Sequence, residues 1–565
     1  MQDFDVVVVG GGISGIYCAW RLITTDFRPK SRRQQDGRQP PDSAQFLKLC
    51  RLAQRRGGRL RVALFELDDR IGGRLLSVIP PDMPHIRCEL GGMRYTTAQP
   101  YIRSLVETEL NLKTREFAVD RSENIAYLRQ DFLRKSDLQD PKKIPYHLTT
   151  AEKDRQSFSP GALLTTAIEQ VIPGATTTSG KGLEKLLRGY KLEGKRLYEH
   201  GFWNILARSI SAEAYRFIFD TSGYDTIGLN WNAVNTILLN FRDFGKTVDY
   251  RAVTDGYEAV PHSLHNKFLG NDGKVFLKHR LQSLTKQPDG RVMLKFNPAA
   301  EDTREVCADH VILAMPRRSL ELLDQNCDLF HHPNPEIRKR MRRDIRSVTP
   351  VPLFKMFVCY PGPWWRAAGV SKGQSVTDLP LRQCYYWGVE GDQALANSRN
   401  RNAVMLATYD DSRYVRFWAA LRHIQDKRDK LREYSVRHWQ AVRAMDRSPA
   451  DEREKWNKHL ASVAMTKEIH RQLQEMHGLK FVPEYFSAVY KNWGGDPFGG
   501  GVNFWKIGSN SFEVIPRMLQ PNPRLNVYVC GEAYSNNQGW VEGALETAEM
   551  VLKEKFGLAK PTWVP

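Results

Sequence analysis

The stretch Val6-Val7-Val8-Val9-Gly10-Gly11-Gly12-Ile13-Ser14-Gly15-Ile16-Tyr17-Cys18-Ala19-Trp20-Arg21-Leu22 decides the fold. Four consecutive β-branched residues with no polar interruption fit a parallel strand buried on both faces. Glycines at the first, third and sixth places of the turn match the dinucleotide fingerprint. Gly10 permits the tight turn, Gly12 lets backbone approach a pyrophosphate, and Gly15 permits close packing of helix on strand. The helix that follows offers unpaired N–H groups and a partial positive charge to the phosphates. Gly10, Gly12, Ile13, Ser14 and Gly15 are therefore candidate dinucleotide-binding residues.

The chain has 565 residues, enough for two or three domains, and its 41% hydrophobic content is that of a globular protein. No apolar run is long enough to span a bilayer. The fingerprint begins too close to Met1 to leave room for a secretory leader, so the cytoplasm is expected. The eight cysteines include no CxxC pair, and free, buried thiols are the expectation, with no metal. A net charge of +19 could attract nucleic acid, a membrane surface or an acidic partner. No recognition-helix, RRM or zinc signature accompanies that charge, so no specific nucleic-acid binding is expected.

A second strand, Arg61-Val62-Ala63-Leu64-Phe65, ends in Glu66, the acid that such folds direct at a ribose. The segment 24–60, rich in Arg and Lys, separates it from the glycines and reads as a basic surface insertion with one amphipathic piece near Phe46–Leu52. Beyond Glu66 come Asp69-Arg70-Ile71-Gly72-Gly73-Arg74, where glycines again suit phosphate and Arg74 adds charge, and then Glu89-Leu90-Gly91-Gly92-Met93-Arg94-Tyr95. The far end of the chain has a strand, Leu525 to Cys530, ending in Gly531-Glu532, and then Gly539-Trp540-Val541-Glu542-Gly543 opening a helix.

Glycine turn, acid, GGR, ELGGMR and a closing Gly-Glu with Gly-Trp follow the order seen in the flavin amine oxidase superfamily, and the chain most resembles FAD-dependent L-amino acid oxidases. The resemblance implies an α/β protein: a glutathione-reductase-like, Rossmann-type FAD-binding domain (1–95, 245–320 and 520–565), a mixed-sheet substrate-binding domain (96–125 and 321–519) and a helical subdomain (126–244). It implies non-covalent FAD, since no Cys lies between Cys384 and Cys530, where a tethering thiol would be expected by analogy. Besides the glycine turn, the FAD contacts it implies are Glu66, Gly73, Arg74, Gly91, Gly92, Met93, Arg94, Leu281, Gly531, Glu532, Gly539, Trp540 and Val541.

The same resemblance implies the reacting end. Arg94 would grip an α-carboxylate with its planar fork, where amine and polyamine oxidases carry a small or aromatic residue. Tyr409 is the expected hydroxyl partner, with Thr408, Tyr385 and Tyr386 as lesser candidates. Lys355, a charge inside an apolar strand, would hold a water against the flavin; with Arg94 it is the catalytic candidate. Trp493 and Trp540 would wall the site, and the Gly539 carbonyl would receive the substrate amine. The implied reaction is oxidation of an L-amino acid by O2 to a 2-oxo acid, with ammonia and hydrogen peroxide released, in a homodimer. Alternatives are an amide-forming L-amino acid 2-monooxygenase, supported by Gly223-Tyr224-Asp225 and the Tyr250–Pro261 segment, an amine or polyamine oxidase, and a flavin-fold binding protein with a basic surface. Asp220 and Asp225 are candidates to pair with a basic substrate side chain. The run Glu336–Arg343 reads as a solvated helix face, and 413–477 as surface helices.

Overall fold

Two seven-stranded sheets, whose central strands are buried on both faces, organise the chain. The computed structural model describes residues 2–28, 44–54, 57–154, 157–243, 248–298, 303–422 and 449–565. In the first sheet the strand Gln2–Val9 is central, parallel to Val62–Phe65 on one side and Arg304–Leu313 on the other. Lys274–Phe276 extends it in parallel beyond Val62–Phe65. The long strand Arg304–Leu313 pairs antiparallel with Val292–Pro298 through its first half and parallel with Val527–Val529 through its second. His279–Lys286 closes that edge. Val6, Val7 and Val8 are fully buried, as a strand covered on both faces requires. Helices Ile13–Thr24, Ala259–Leu269 and Val541–Phe556 pack together on one face.

The second sheet runs in the order Ser487–Asn492, Leu353–Tyr360, Ala403–Asp411, Gln383–Val389, Gln374–Thr377, Ile125–Leu128, Asp131–Arg134. Its pairings are antiparallel except that of Gln374–Thr377 with Ile125–Leu128, so the sheet is mixed. The hairpin 125–134 therefore belongs to this sheet, and the helical part starts after it rather than at residue 126. Helices Pro160–Val171, Gly180–Gly189, Ala212–Ser222 and Ala233–Asp243 follow, packed through Leu163, Ile168, Leu187, Phe217 and Ile237. A small sheet of Tyr95–Thr96, Tyr250–Val253 and Thr114–Glu116 joins the parts.

Two surface expectations are corrected. The 24–60 segment is not all surface: helix Ala44–Gln54 buries Leu49, Cys50 and Ala53 in the core beside Trp20 and Phe27. Helix Val463–His477 is an amphipathic core element whose Met465, Ile469, Leu473 and Met476 pack under the second sheet. Residues 29–43 and 423–448, with Leu431, Trp439 and Val442, lie outside the described residues. The run 336–343 does form a helix, Pro335–Ile345, that buries Met341, Asp344 and Ile345. All eight cysteines are free and buried.

The glycine turn shows which glycines serve the fold and which serve a ligand. Gly10 has φ +107°, and a Cβ there would lie 2.5 Å from the Ala314 carbonyl oxygen. A Cβ at Gly15 would fall 1.8 Å from the Gly10 carbonyl oxygen, which is backbone and cannot yield. At Gly12 the nearest atom to such a Cβ is 3.9 Å away, so space, not packing, is being kept. Gly15→Ala is expected to destabilise the apoprotein by about 1–3 kcal/mol, the usual range for overpacking. Gly12→Ala should leave the apoprotein's melting temperature unchanged and abolish FAD binding. Thermal melting with FAD titration checks both.

Candidate active site

A cavity of about 260 Å³ lies between the two sheets. Its lining includes every candidate FAD contact except Gly15, Met93 and Arg94, and it also takes in Lys355, Tyr409 and Trp493. Residues from six distant parts of the chain thus converge on one space. Gly15 lies one helical turn below, where its role is packing. Met93 and Arg94 are buried behind the wall.

At one end, Gly12 caps helix Ile13–Thr24 and its open side faces Gly73. Glu66, at the end of Val62–Phe65, accepts the Gly11 amide and, at 2.8 Å, that of Asp68. Burial raises its pKa, against the lowering effect of those two amides. Leu281 reaches the cavity because its strand begins where the His279 amide bonds the Glu66 carbonyl, at 2.8 Å. Arg280, Met315, Pro316, Pro497, Phe498 and Lys491 line the cavity without having been expected; no spacing rule connects them to the glycine turn. Further along, Arg74 pairs with Glu532 at 2.9 Å and donates to the Gly501 carbonyl at 2.6 Å. Glu532 also accepts the amides of Asn503 at 2.9 Å and Gly539 at 2.8 Å. Helix Val541–Phe556 then points its N-terminus, through Trp540 and Val541, at the cavity. Two helix N-termini, an acid at the strand end and open-sided glycines fit an elongated dinucleotide.

Lys355 is 2% exposed and donates to the carbonyls of Glu89 at 3.2 Å and Gly91 at 2.5 Å. Burial drives its pKa down, opposed by the Glu89 carboxylate and reinforced by Arg94. Burial likewise pushes Glu89 up, although Ser77 and the Tyr257 amide bond its carboxylate at 2.7 and 2.8 Å. Strand register sets Lys491, Lys355 and Tyr409 in a row across the sheet, all facing the cavity. Trp493 donates its indole N–H to the Leu90 carbonyl at 2.7 Å, which fixes its ring in the wall.

Arg94 is enclosed by aromatic rings. Its guanidinium carbon lies 4.4 Å from the Tyr250 ring centroid, 5.2 Å from Phe117 and 5.9 Å from Tyr385, whose hydroxyl accepts its N–H at 3.2 Å. Among the described residues no carboxylate lies within 4 Å of it. Burial opposes its charge, but the hydroxyls of Tyr385, Tyr224 and Tyr250 outweigh that and raise its pKa. Tyr250 in turn lies against the cavity-lining Trp540, with ring centroids 6.5 Å apart. Tyr385 is thus the hydroxyl bonded to Arg94, whose charge also favours ionisation of Tyr409. Tyr409 lies over Lys355, with the ammonium 4.5 Å from its ring centroid. Neighbouring tyrosines on a strand face opposite ways: Tyr385 turns to Arg94, and Tyr386 turns to Ser375 and His477. Thr408 is buried, donating to the Leu381 carbonyl at 3.0 Å.

The class this site defines is a flavin-dependent oxidoreductase: an elongated dinucleotide cradle whose far end is walled by Trp540, Trp493 and Tyr409. Comparison with known proteins agrees. The family model described as flavin-containing amine oxidoreductase matches residues 13–551, and the chain belongs to that family. FAD is accordingly its cofactor. Aplysianin-A of Aplysia kurodai is 27% identical over 98% of this chain and 90% of its own length. Achacin of Lissachatina fulica is 27% identical over 98% and 93%. An L-amino-acid oxidase of Siganus canaliculatus is 22% identical over 86% and 79%. Wild-type putrescine oxidase bound to putrescine has the same fold, with a TM-score of 0.58 and 16% identity over 97% of this chain and 98% of that one.

Asp220 and Asp225 are not in the cavity lining, and each already has partners within the fold. Asp220 accepts the Tyr146 hydroxyl at 2.8 Å, and Asp225 pairs with Arg413 at 2.9 Å and Arg382 at 3.6 Å. Next to them Asp411 accepts the Thr226 amide at 2.8 Å. Burial, then the charge of Asp225, pushes Asp411 up to about 7. Between its unfolded value near 3.8 and about 7, the folded protein holds the Asp411 proton and the unfolded chain does not. Its contribution to stability is therefore present at acid pH and lost as pH rises through that window. Asp411→Asn, which keeps an acceptor for the Thr226 amide, should flatten the fall in melting temperature between about pH 4 and 7, measured by calorimetry across that range.

Proposed function

We propose that the protein is an FAD-dependent L-amino acid oxidase. The observation that carries this reading is Arg94: a buried cation without a carboxylate partner among the described residues, beside a hydroxyl and one ring removed from the cavity wall. The neighbouring hydroxyls and rings keep that cation charged, and a substrate carboxylate can add the forked, charge-assisted pair that no described carboxylate supplies. A simple amine or polyamine has nothing to offer this group. FAD, when bound, would supply the acceptor for the Cα hydride and the means of passing those two electrons to O2 as hydrogen peroxide.

The remaining chemistry belongs to the chain. Arg94 and Tyr385 fix the carboxylate, and Trp540 and Trp493 wall the substrate in. Gly539 has φ +83° and an open side, so its backbone can come close to the substrate amine. Lys355, with two N–H groups committed to the carbonyls of Glu89 and Gly91 and its pKa lowered, turns a lone pair to the cavity when neutral. It can hold a water there or take the proton of an arriving ammonium. The relatives named L-amino-acid oxidase support the same reading.

Arg94→Ala should bind FAD as the wild type does and lose about 10–100-fold in kcat/KM for L-amino acids, the loss of a hydrogen-bonded charge contact. An amino-acid panel read by peroxide release, with product analysis, tests the reading. Normal amino-acid turnover in that variant would sink the carboxylate assignment. An amide product would show the monooxygenase, and turnover of simple amines alone the amine oxidase.

A further inference from the structure

Tyr224 comes from the helical subdomain, yet its ring packs against the cavity-lining Tyr409. It follows helix Ala212–Ser222, beyond Gly223, which turns the chain with φ +77°. Its ring meets that of Tyr409 edge to face, at 5.2 Å and 88°. Tyr409 lines the cavity and lies over Lys355. Tyr224 and Arg94 also influence each other's ionisation, Arg94 favouring the phenolate and Tyr224 the guanidinium.

The turn that carries Tyr224 is held to the substrate sheet by two adjacent residues. Gln383 donates one amide nitrogen both to the Gly223 carbonyl at 2.9 Å and to the Tyr409 carbonyl at 3.0 Å. The backbones before Tyr224 and at Tyr409 are thus fixed through a single atom. Arg382, 1% exposed, donates to the Phe219 carbonyl at 2.9 Å and to the Thr377 carbonyl, at the end of the neighbouring strand, at 3.0 Å, with Asp225 3.6 Å away. Arg382 adopts a left-handed φ of +52°, an unfavourable conformation for a non-glycine residue that these contacts hold in place. Two residues beyond Gln383 in its strand is Tyr385, the Arg94 partner. One short segment therefore positions Tyr385 directly and Tyr224 across the subdomain boundary.

We propose that Tyr224 is a third substrate-binding group, donating its hydroxyl to the carboxylate beside Arg94 and Tyr385, with Arg382 and Gln383 as the residues that position it. This rests on the L-amino acid reading above. It means that the substrate pocket is complete only when the helical subdomain is docked.

Tyr224→Phe tests it, because the ring and its packing on Tyr409 remain and only the hydroxyl is lost. Two readouts are taken on FAD-loaded protein: steady-state kinetics with the best L-amino acid, and the dissociation constant of benzoate, an aromatic carboxylate, from its perturbation of the flavin absorbance. Expected is an increase of about tenfold in both KM and the benzoate constant, with kcat within about twofold and FAD content unchanged. Gln383→Leu should weaken benzoate in the same direction; the isosteric Tyr224 variant keeps the test decisive if that protein folds poorly. Wild-type benzoate affinity and KM in Tyr224→Phe would overturn the proposal while leaving the oxidase reading intact. A wild-type protein that neither binds benzoate nor oxidises any L-amino acid would overturn both.

Discussion

The ion pair between Arg74 and Glu532 joins residues 458 positions apart, and the cofactor domain depends on it. Glu532 also accepts the amides of Asn503 and Gly539, and Arg74 also bonds the Gly501 carbonyl. A half-buried arginine and a buried carboxylate therefore gather the early GGR turn, the glycine-rich loop and the approach to the last helix. Removing either partner would leave a charge, or several amides, without compensation in a place that water reaches poorly. The pair is a structural hub as well as part of the cavity wall.

Two physical regimes meet in the cavity. At the glycine turn, backbone does the work: amides, helix ends and the absence of side chains make room for a polyanion. At the far end, side chains do it: Lys355, Tyr409 and Trp493 line the cavity, and Arg94 lies behind them among aromatic rings. Neutral-pH behaviour at this end is governed by burial, which moves Lys355 down and Glu89 up toward one another. Leu90, Gly91 and Gly92 line the cavity between the two ends, and the carbonyls of Gly91 and its neighbour Glu89 bond Lys355.

The strand-turn-helix start, the acid at Glu66 and the closing Gly-Glu were legible because local chemistry fixes them: a residue type at a short spacing has one structural use. The substrate domain was less so. Tyr385 and Tyr386 are equivalent until sheet register gives each a face. Asp220 and Asp225 looked free because their partners, Arg382 and Arg413, lie more than 150 residues on. Helix Val463–His477 carries enough Lys, Arg and Glu to look solvated, yet its apolar stripe is narrow and fully used. In each case the deciding contact is non-local, and composition records only what the contact must tolerate.

The strand order of the first sheet has a consequence for biosynthesis. Its middle is laid down within the first ten residues, but the strand Val527–Val529 and the helix behind it arrive only with the last part of the chain. During translation the glycine turn exists long before Glu532 can close the opposite wall. The first sheet gains Arg304–Leu313 only past the middle of the chain, and its strands then wait for Val527–Val529 as a final neighbour. Cofactor capture is then a late event, and a chain interrupted before Gly539 would lack the wall on which capture depends.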